Sequence, residues 1–152
     1  MRSLYDFGNG RLESLDRKYK ILLVDDDRII LAMYGDYLKK KGFEVFEEQS
    51  GEDALARIIE SDDIDLVVTD IMMARMNGWQ FLDYIRNELG FDEVKLPVIV
   101  MSAVESVDLD MEYIRHRAND WIEKPIKPLA KLLEKINTLL GVEKGGNING
   151  ND

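Results

Sequence analysis

From residue 20 to residue 140 the chain alternates short apolar runs with segments whose apolar residues recur at helical spacing. The runs lie at 21–24, 43–46, 66–69, 98–101 and 118–122. Phe81, Leu82, Ile85 and Leu89 show the helical spacing, as do Leu129, Leu132, Leu133, Ile136 and Leu140. Gly42, Gly51, Gly78, Gly90, Pro97 and Pro125 punctuate the joins. Five strand–helix units in series call for a parallel sheet with helices on both faces, an α/β fold. The runs differ among themselves. Residues 21–24, 66–68 and 98–101 are almost wholly apolar, as strands covered on both faces are. The second run sets Phe43 and Val45 against Glu44 and Glu47, and the fifth carries Asn119, Asp120 and Glu123, so both belong at sheet edges. Those edge positions fit the strand order 2-1-3-4-5, which is the order expected here.

The 152-residue chain as a whole adds limits rather than features. With no cysteine it has no disulfide, thiolate metal site or thiol nucleophile. A net charge of −10 argues against direct nucleic-acid binding, which needs Lys and Arg to neutralise phosphates. No apolar run approaches the roughly 20 residues of a membrane-spanning helix. Residues 1–6 lack the apolar stretch of a secretory signal, so a cytoplasmic location is expected. Residues 1–19 read as an N-terminal extension or linker, with Leu12, Leu15 and Tyr19 spaced for one short amphipathic helix. Residues 20–140 form the domain, and the Gly- and Asn-rich residues 141–152 are expected to be a disordered tail.

In an open α/β sheet, ligands bind beyond the carboxyl ends of the strands where the order reverses, here between strands one and three. Strand one runs into Asp25, Asp26 and Asp27, and strand three ends at Asp70. Strand four ends at Ser102, and strand five leads to Lys124. Adjacent ionised carboxylates need a cation to offset their repulsion. All-oxygen ligands favour a hard ion such as Mg²⁺. A carboxylate also serves as a nucleophile toward phosphorus, with a lysine and a hydroxyl to stabilise the equatorial oxygens.

The motifs ILLVDDD (21–27), VVTDIMMARMNG (67–78), VIVMSA (98–103) and WIEKPI (121–126) resemble the receiver domain of response regulators, chemotaxis-receiver-like proteins of two-component signalling. The resemblance implies a flavodoxin-like (βα)5 three-layer sandwich. It implies that Asp70 is the phosphoacceptor, that Asp26 is a direct Mg²⁺ ligand, and that Asp25 acts mainly through metal-bound water. The Met72 backbone carbonyl matches a third protein ligand, beside Asp70 itself. Ser102 matches the hydroxyl that bonds the phosphoryl group, Lys124 the phosphate-pairing lysine, and Trp121 the aromatic switch position. The Lys124–Pro125 bond matches one that is cis in the family.

Two departures stand out. Ala74 replaces a usual Pro four residues after the phosphoacceptor, and Trp121 is bulkier than the usual Tyr or Phe. Several other residues have plainer readings. Asp27 is expected to cap the following helix. Met72 and Met73 read as loop and core packing apart from the Met72 carbonyl. His116 reads as a solvated surface histidine, Trp79 as cover for apolar surface, and Glu47, Glu48, Glu52 and Asp53 as a solvated face.

The resemblance further implies phosphoryl transfer from a sensor histidine kinase, a histidine phosphotransfer protein or a small donor such as acetyl phosphate. The domain catalyses its own phosphorylation and dephosphorylation and is not a turnover enzyme. The added charge would switch the face of helix four, strand five and helix five for a downstream partner, with a homodimer as one form of the phosphorylated state. Apolar Met72 and Val104 flank the path of attacking water in this reading, which predicts slow dephosphorylation relative to a Met72→Asn, Val104→Glu double variant. The chain is then a stand-alone receiver or one cut from a larger kinase or regulator. The alternative of the same shape is a receiver-like module that binds partners without phosphorylation. A Mg²⁺-dependent phosphohydrolase fits poorly, because no residues remain for its cap. A flavin site would need a Gly- and Ser-rich loop where the three aspartates stand.

Overall fold

The computed structural model describes residues 17–61, 63–103 and 106–142. The helix expected around Leu12 and Leu15, most of the expected tail, and Val104 lie outside the described residues.

Five strands, β1 (Lys20–Val24), β2 (Glu44–Glu48), β3 (Leu66–Asp70), β4 (Val98–Ser102) and β5 (Asp120–Glu123), form one parallel sheet of order β2-β1-β3-β4-β5. The edge assignment read from charge is the observed one. The edges themselves begin later than the apolar runs suggested. Phe43 is buried just ahead of β2, and β5 starts at Asp120 rather than residue 118. In both cases a core residue of the approach loop extends the apolar run beyond the ladder.

The intervening helices are α1 (Arg28–Lys40), α2 (Gly51–Ser61), α3 (Gly78–Asp83), α4 (Ser106–His116) and α5 (Ala130–Leu140). They divide between the two faces. Leu31, Tyr34 and Leu38 of α1 and Leu132, Leu133 and Ile136 of α5 pack with Ile21, Leu23, Val68, Ile99 and Met101. Ala54, Leu55 and Ile58 of α2, Phe81 and Leu82 of α3 and Leu109 of α4 pack with Leu22, Val24, Val67, Val98 and Val100. The period-2 alternation of each strand feeds both cores, which is why β1, β3 and β4 are apolar at nearly every position.

Helix starts follow local chemistry. The Asp27 carboxylate accepts the backbone N–H groups of Ile29 (2.9 Å) and Ile30 (3.3 Å), so it caps α1 as the sequence suggested. Asn77 and Gln80 form a reciprocal capping box on α3. Gly78 is required there, because a Cβ would collide with the backbone of Asp70 and Ile71. Beyond Asp83 the helix widens into a π-type turn, Tyr84–Glu88, closed by the Leu89 N–H on the Tyr84 carbonyl (2.9 Å). This wide turn buries Ile85 and Arg86 side by side.

Candidate functional site

The carboxyl edge of the sheet gathers its polar groups between β1 and β3. Val24 pairs with Thr69 across the ladder, so the residues after each strand end side by side. Asp25 is fully buried, and its N–H continues the β1–β2 ladder by donating to the Glu48 carbonyl (3.1 Å). Its carboxylate accepts the Asp27 N–H (2.9 Å) and is thereby aimed at the pocket. Asp70, 5% exposed, is the last residue of β3. The Ile71 N–H donates to Met101 (3.1 Å) and the Gly78 N–H to Ile71 (2.8 Å), which fixes the chain just past Asp70. One carboxylate oxygen from each of Asp25, Asp26 and Asp70 lies within 4.8 Å of the others.

Lys124 reaches into this cluster from the end of β5. Its ammonium donates to Asp25 Oδ2 at 2.9 Å and to Asp70 Oδ1 at 3.2 Å. Its backbone N–H donates to the Ser102 carbonyl (2.9 Å). Next to it, the Ile126 N–H donates to the Tyr34 hydroxyl of α1 (3.3 Å). The Lys124–Pro125 bond is cis, as is Lys127–Pro128. Ser102 is fully buried at the end of β4, one position past the residue opposite Asp70. Trp121 is half-buried and packs on the α2–α3–α4 side of the sheet. Met72 follows β3 with its side chain 67% exposed, whereas Met73 is buried.

One ammonium bonds two of the three carboxylates, Asp25 and Asp70, and the electrostatics show the deficit. Burial pushes the Asp70 carboxyl up to about 6, the Asp25 charge adds to the rise, and Lys124 offsets only part of it. Desolvation works against the Lys124 ammonium, but the bond to Asp25 and the charges of Asp70 and Asp25 outweigh it, so its pKa is raised. An all-oxygen donor set with excess negative charge fits a hard divalent cation.

Two sequence readings change here. His116 is not simply solvated. Its ring stacks on Trp79 with centroids 5.3 Å apart, and Nε2 lies 3.1 Å from Glu112. Nor is the acidic stretch a bare solvated face. Glu48 takes a two-nitrogen contact from Arg57 (3.0 and 2.8 Å), Glu47 faces Lys39, and Glu52 faces Arg75. Lys39 of α1, Arg57 of α2 and Arg75 of the loop after β3 supply cations that a linear reading leaves out. Arg86 escaped the sequence reading altogether, although a lone Arg beside Ile85 in an apolar helical segment was a visible signal.

A doubly wound α/β domain with a carboxylate-rich pocket at its topological switch point is the class that fold and site define. The particular family follows from sequence. The family model described as the response regulator receiver domain matches residues 21–137, and the chain belongs to that family. It is similar to the response regulator SaeR of Staphylococcus aureus (strain USA300), with 29% identity over 120 residues, 79% of this chain and 50% of that protein. The chain thus spans about half the length of the curated relatives it matches. Among solved structures it is similar to the chemotaxis protein CheY4 of Vibrio cholerae, with a TM-score of 0.74, 26% identity, and coverage of 82% of this chain and 100% of that one. It is also similar to a CheY-like receiver domain protein of Methanospirillum hungatei JF-1, with a TM-score of 0.72, 27% identity and coverage of 82% and 95%. Receiver domains are signalling domains of two-component systems rather than turnover enzymes. Among the described residues no helix is long and apolar enough to cross a membrane.

Proposed function

We propose that Asp70 accepts a phosphoryl group from a phosphohistidine of a sensor kinase or histidine phosphotransfer protein, with a small phosphodonor as substitute. The observation that carries this reading is the convergence of Asp25, Asp26 and Asp70 with Lys124 at the switch point of the sheet. A carboxylate oxygen of Asp70 forms the bond to phosphorus as the bond from phosphorus to the donor nitrogen breaks, and the imidazole leaves. Asp25, Asp26, Asp70 and the Met72 carbonyl would hold Mg²⁺, which supplies charge neutralisation for the transferring group. Lys124 holds its positive charge beside Asp70, ready to pair with the phosphoryl oxygens. Ser102 would hydrogen-bond that group. Trp121 would follow it, carrying the change to the face of α4, β5 and α5 that a downstream partner, or a second copy of the chain, reads.

In this reading the functional unit is residues 20–140, with 1–19 as an N-terminal extension or linker and 141–152 as a tail, and it works in the cytoplasm. The test is intact mass after incubation with Mg²⁺ and acetyl phosphate. A gain of one phosphoryl group that disappears in Asp70→Asn and in chelator supports the proposal. No gain with the small donor, with a kinase phosphodonor or with beryllofluoride favours a receiver-like module that binds partners without phosphorylation.

A further inference from the structure

Arg86 is 4% exposed, and every hydrogen bond of its guanidinium goes to the oxygen of a neutral group. Nη1 donates to the carbonyls of Phe91 (3.0 Å), Asp92 (3.2 Å) and Leu96 (2.8 Å). Nε donates to the carbonyl of Arg117 (3.1 Å), and Nη2 to Asn119 Oδ1 (3.0 Å). One planar fork thus joins the π-type turn, the loop before β4 and the turn between α4 and β5.

Asn119 completes the joint. Its Oδ1 also accepts the Val98 N–H (3.0 Å), its N–H donates to the Val98 carbonyl (2.8 Å), and its Nδ2 donates to the Glu93 carbonyl (2.9 Å). Further ties reach the end of α4. The Tyr113 hydroxyl donates to the Asn119 carbonyl (3.1 Å), Arg117 bonds Glu93 (2.9 and 3.2 Å), and His116 stacks on Trp79. Arg117 itself has φ 64°, a left-handed conformation that a residue of its type seldom adopts, and its carbonyl is the one that Arg86 Nε holds. Trp79 apart, which begins α3 beside Asp70 and Ile71, these groups lie at the amino edge of the sheet, at the opposite end of β4 and β5 from Ser102 and Lys124.

We infer that Arg86 and Asn119 pin the last turn of α4 and the start of β5 to the loop before β4, making a fixed anchor about which the rest of the α4–β5 face moves. The anchor is a property of the unmodified protein. Its bearing on switching rests on the phosphoryl-accepting role of Asp70.

The test is amide hydrogen exchange on the full chain. Arg86→Met keeps much of the side-chain volume and removes all five donors, while Leu38→Ala, in α1 on the other face, serves as a control of comparable destabilisation. We expect the amides of residues 113–119 to exchange at least tenfold faster in Arg86→Met and less than twofold faster in Leu38→Ala. An equal response to both variants would overturn the anchor, since the segment would then open only with the whole domain. If Arg86→Met does not fold, Asn119→Ser is judged by the same criterion. Beryllofluoride with Mg²⁺ should alter exchange in residues 106–112 of the wild type and change 113–119 less than twofold. Equal changes along the whole of 106–119 also overturn the anchor. No change anywhere counts against the role of Asp70, and the variant pair alone then decides the anchor.

Discussion

The two ends of the sheet solve the problem of buried charge in opposite ways. At the amino edge one guanidinium is enclosed by carbonyl oxygens, so each of its three nitrogens is met and the segments it bonds are held together. At the carboxyl edge two buried carboxylates, Asp25 and Asp70, share one ammonium beside the exposed Asp26, and Asp70 is held with its pKa raised to about 6 by burial and by Asp25. The first centre is complete without a partner. The second is stable only as far as the surrounding fold imposes it, and a bound cation would offset its excess of negative charge. Buried polar groups that are satisfied rigidify a structure, and those left unbalanced are where chemistry concentrates.

The sharpest way to break this contrast is to remove the central group from each end, because the signs should differ. Arg86→Met leaves buried carbonyls without donors and should destabilise the fold by about 3 kcal/mol, read by denaturant titration. A loss below about 1 kcal/mol would mean that the carbonyls find water instead. Lys124→Met should slow phosphoryl uptake from acetyl phosphate by about 100-fold, the usual effect of losing one electrostatic contact to a transition state. An unchanged rate would remove Lys124 from the reaction.

Asp70→Asn should do the reverse of Arg86→Met. The native Asp70 carboxyl retains its proton up to about pH 6, whereas the unfolded group loses it near 3.8. Above that window the ionised native form is penalised, so stability falls as pH rises from 3.8 to about 6. The Asn variant escapes this penalty and should be more stable than wild type by about 1–3 kcal/mol at pH 7 in chelator. The difference should shrink as pH falls through about 6 and vanish below 3.8. Equal stability at pH 7 would contradict the charge excess. The smallest effect belongs beside the carboxyl-edge centre: Asp27→Ala, which removes the α1 cap, should cost about 1 kcal/mol.

The same contrast explains what the sequence disclosed. The carboxyl-edge groups sit directly at the ends of apolar runs, as Asp25 follows Val24 and Asp70 follows Thr69, so strand order alone was enough to bring them together. Charged residues in the runs at 43–46 and 118–122 marked the edges correctly. The amino-edge centre had no such signature. Arg86, Phe91, Leu96, Arg117 and Asn119 come from three separate loops and turns, and most of the acceptors are backbone carbonyls, which leave no trace in residue type. The Trp79–His116 stack was hidden for a related reason. It depends on how α3 and α4 lie against one another, which periodicity within either segment does not determine.

The central claim is that Asp70, rather than Asp25 or Asp26, is the residue modified in the acidic pocket. Treating the phosphorylated protein with borohydride converts an acyl phosphate to an alcohol, and peptide mass mapping then locates it. The account predicts homoserine at position 70 alone, present only when Mg²⁺ was supplied. Reduction at Asp25 or Asp26, or a phosphoryl group that resists borohydride, would contradict it.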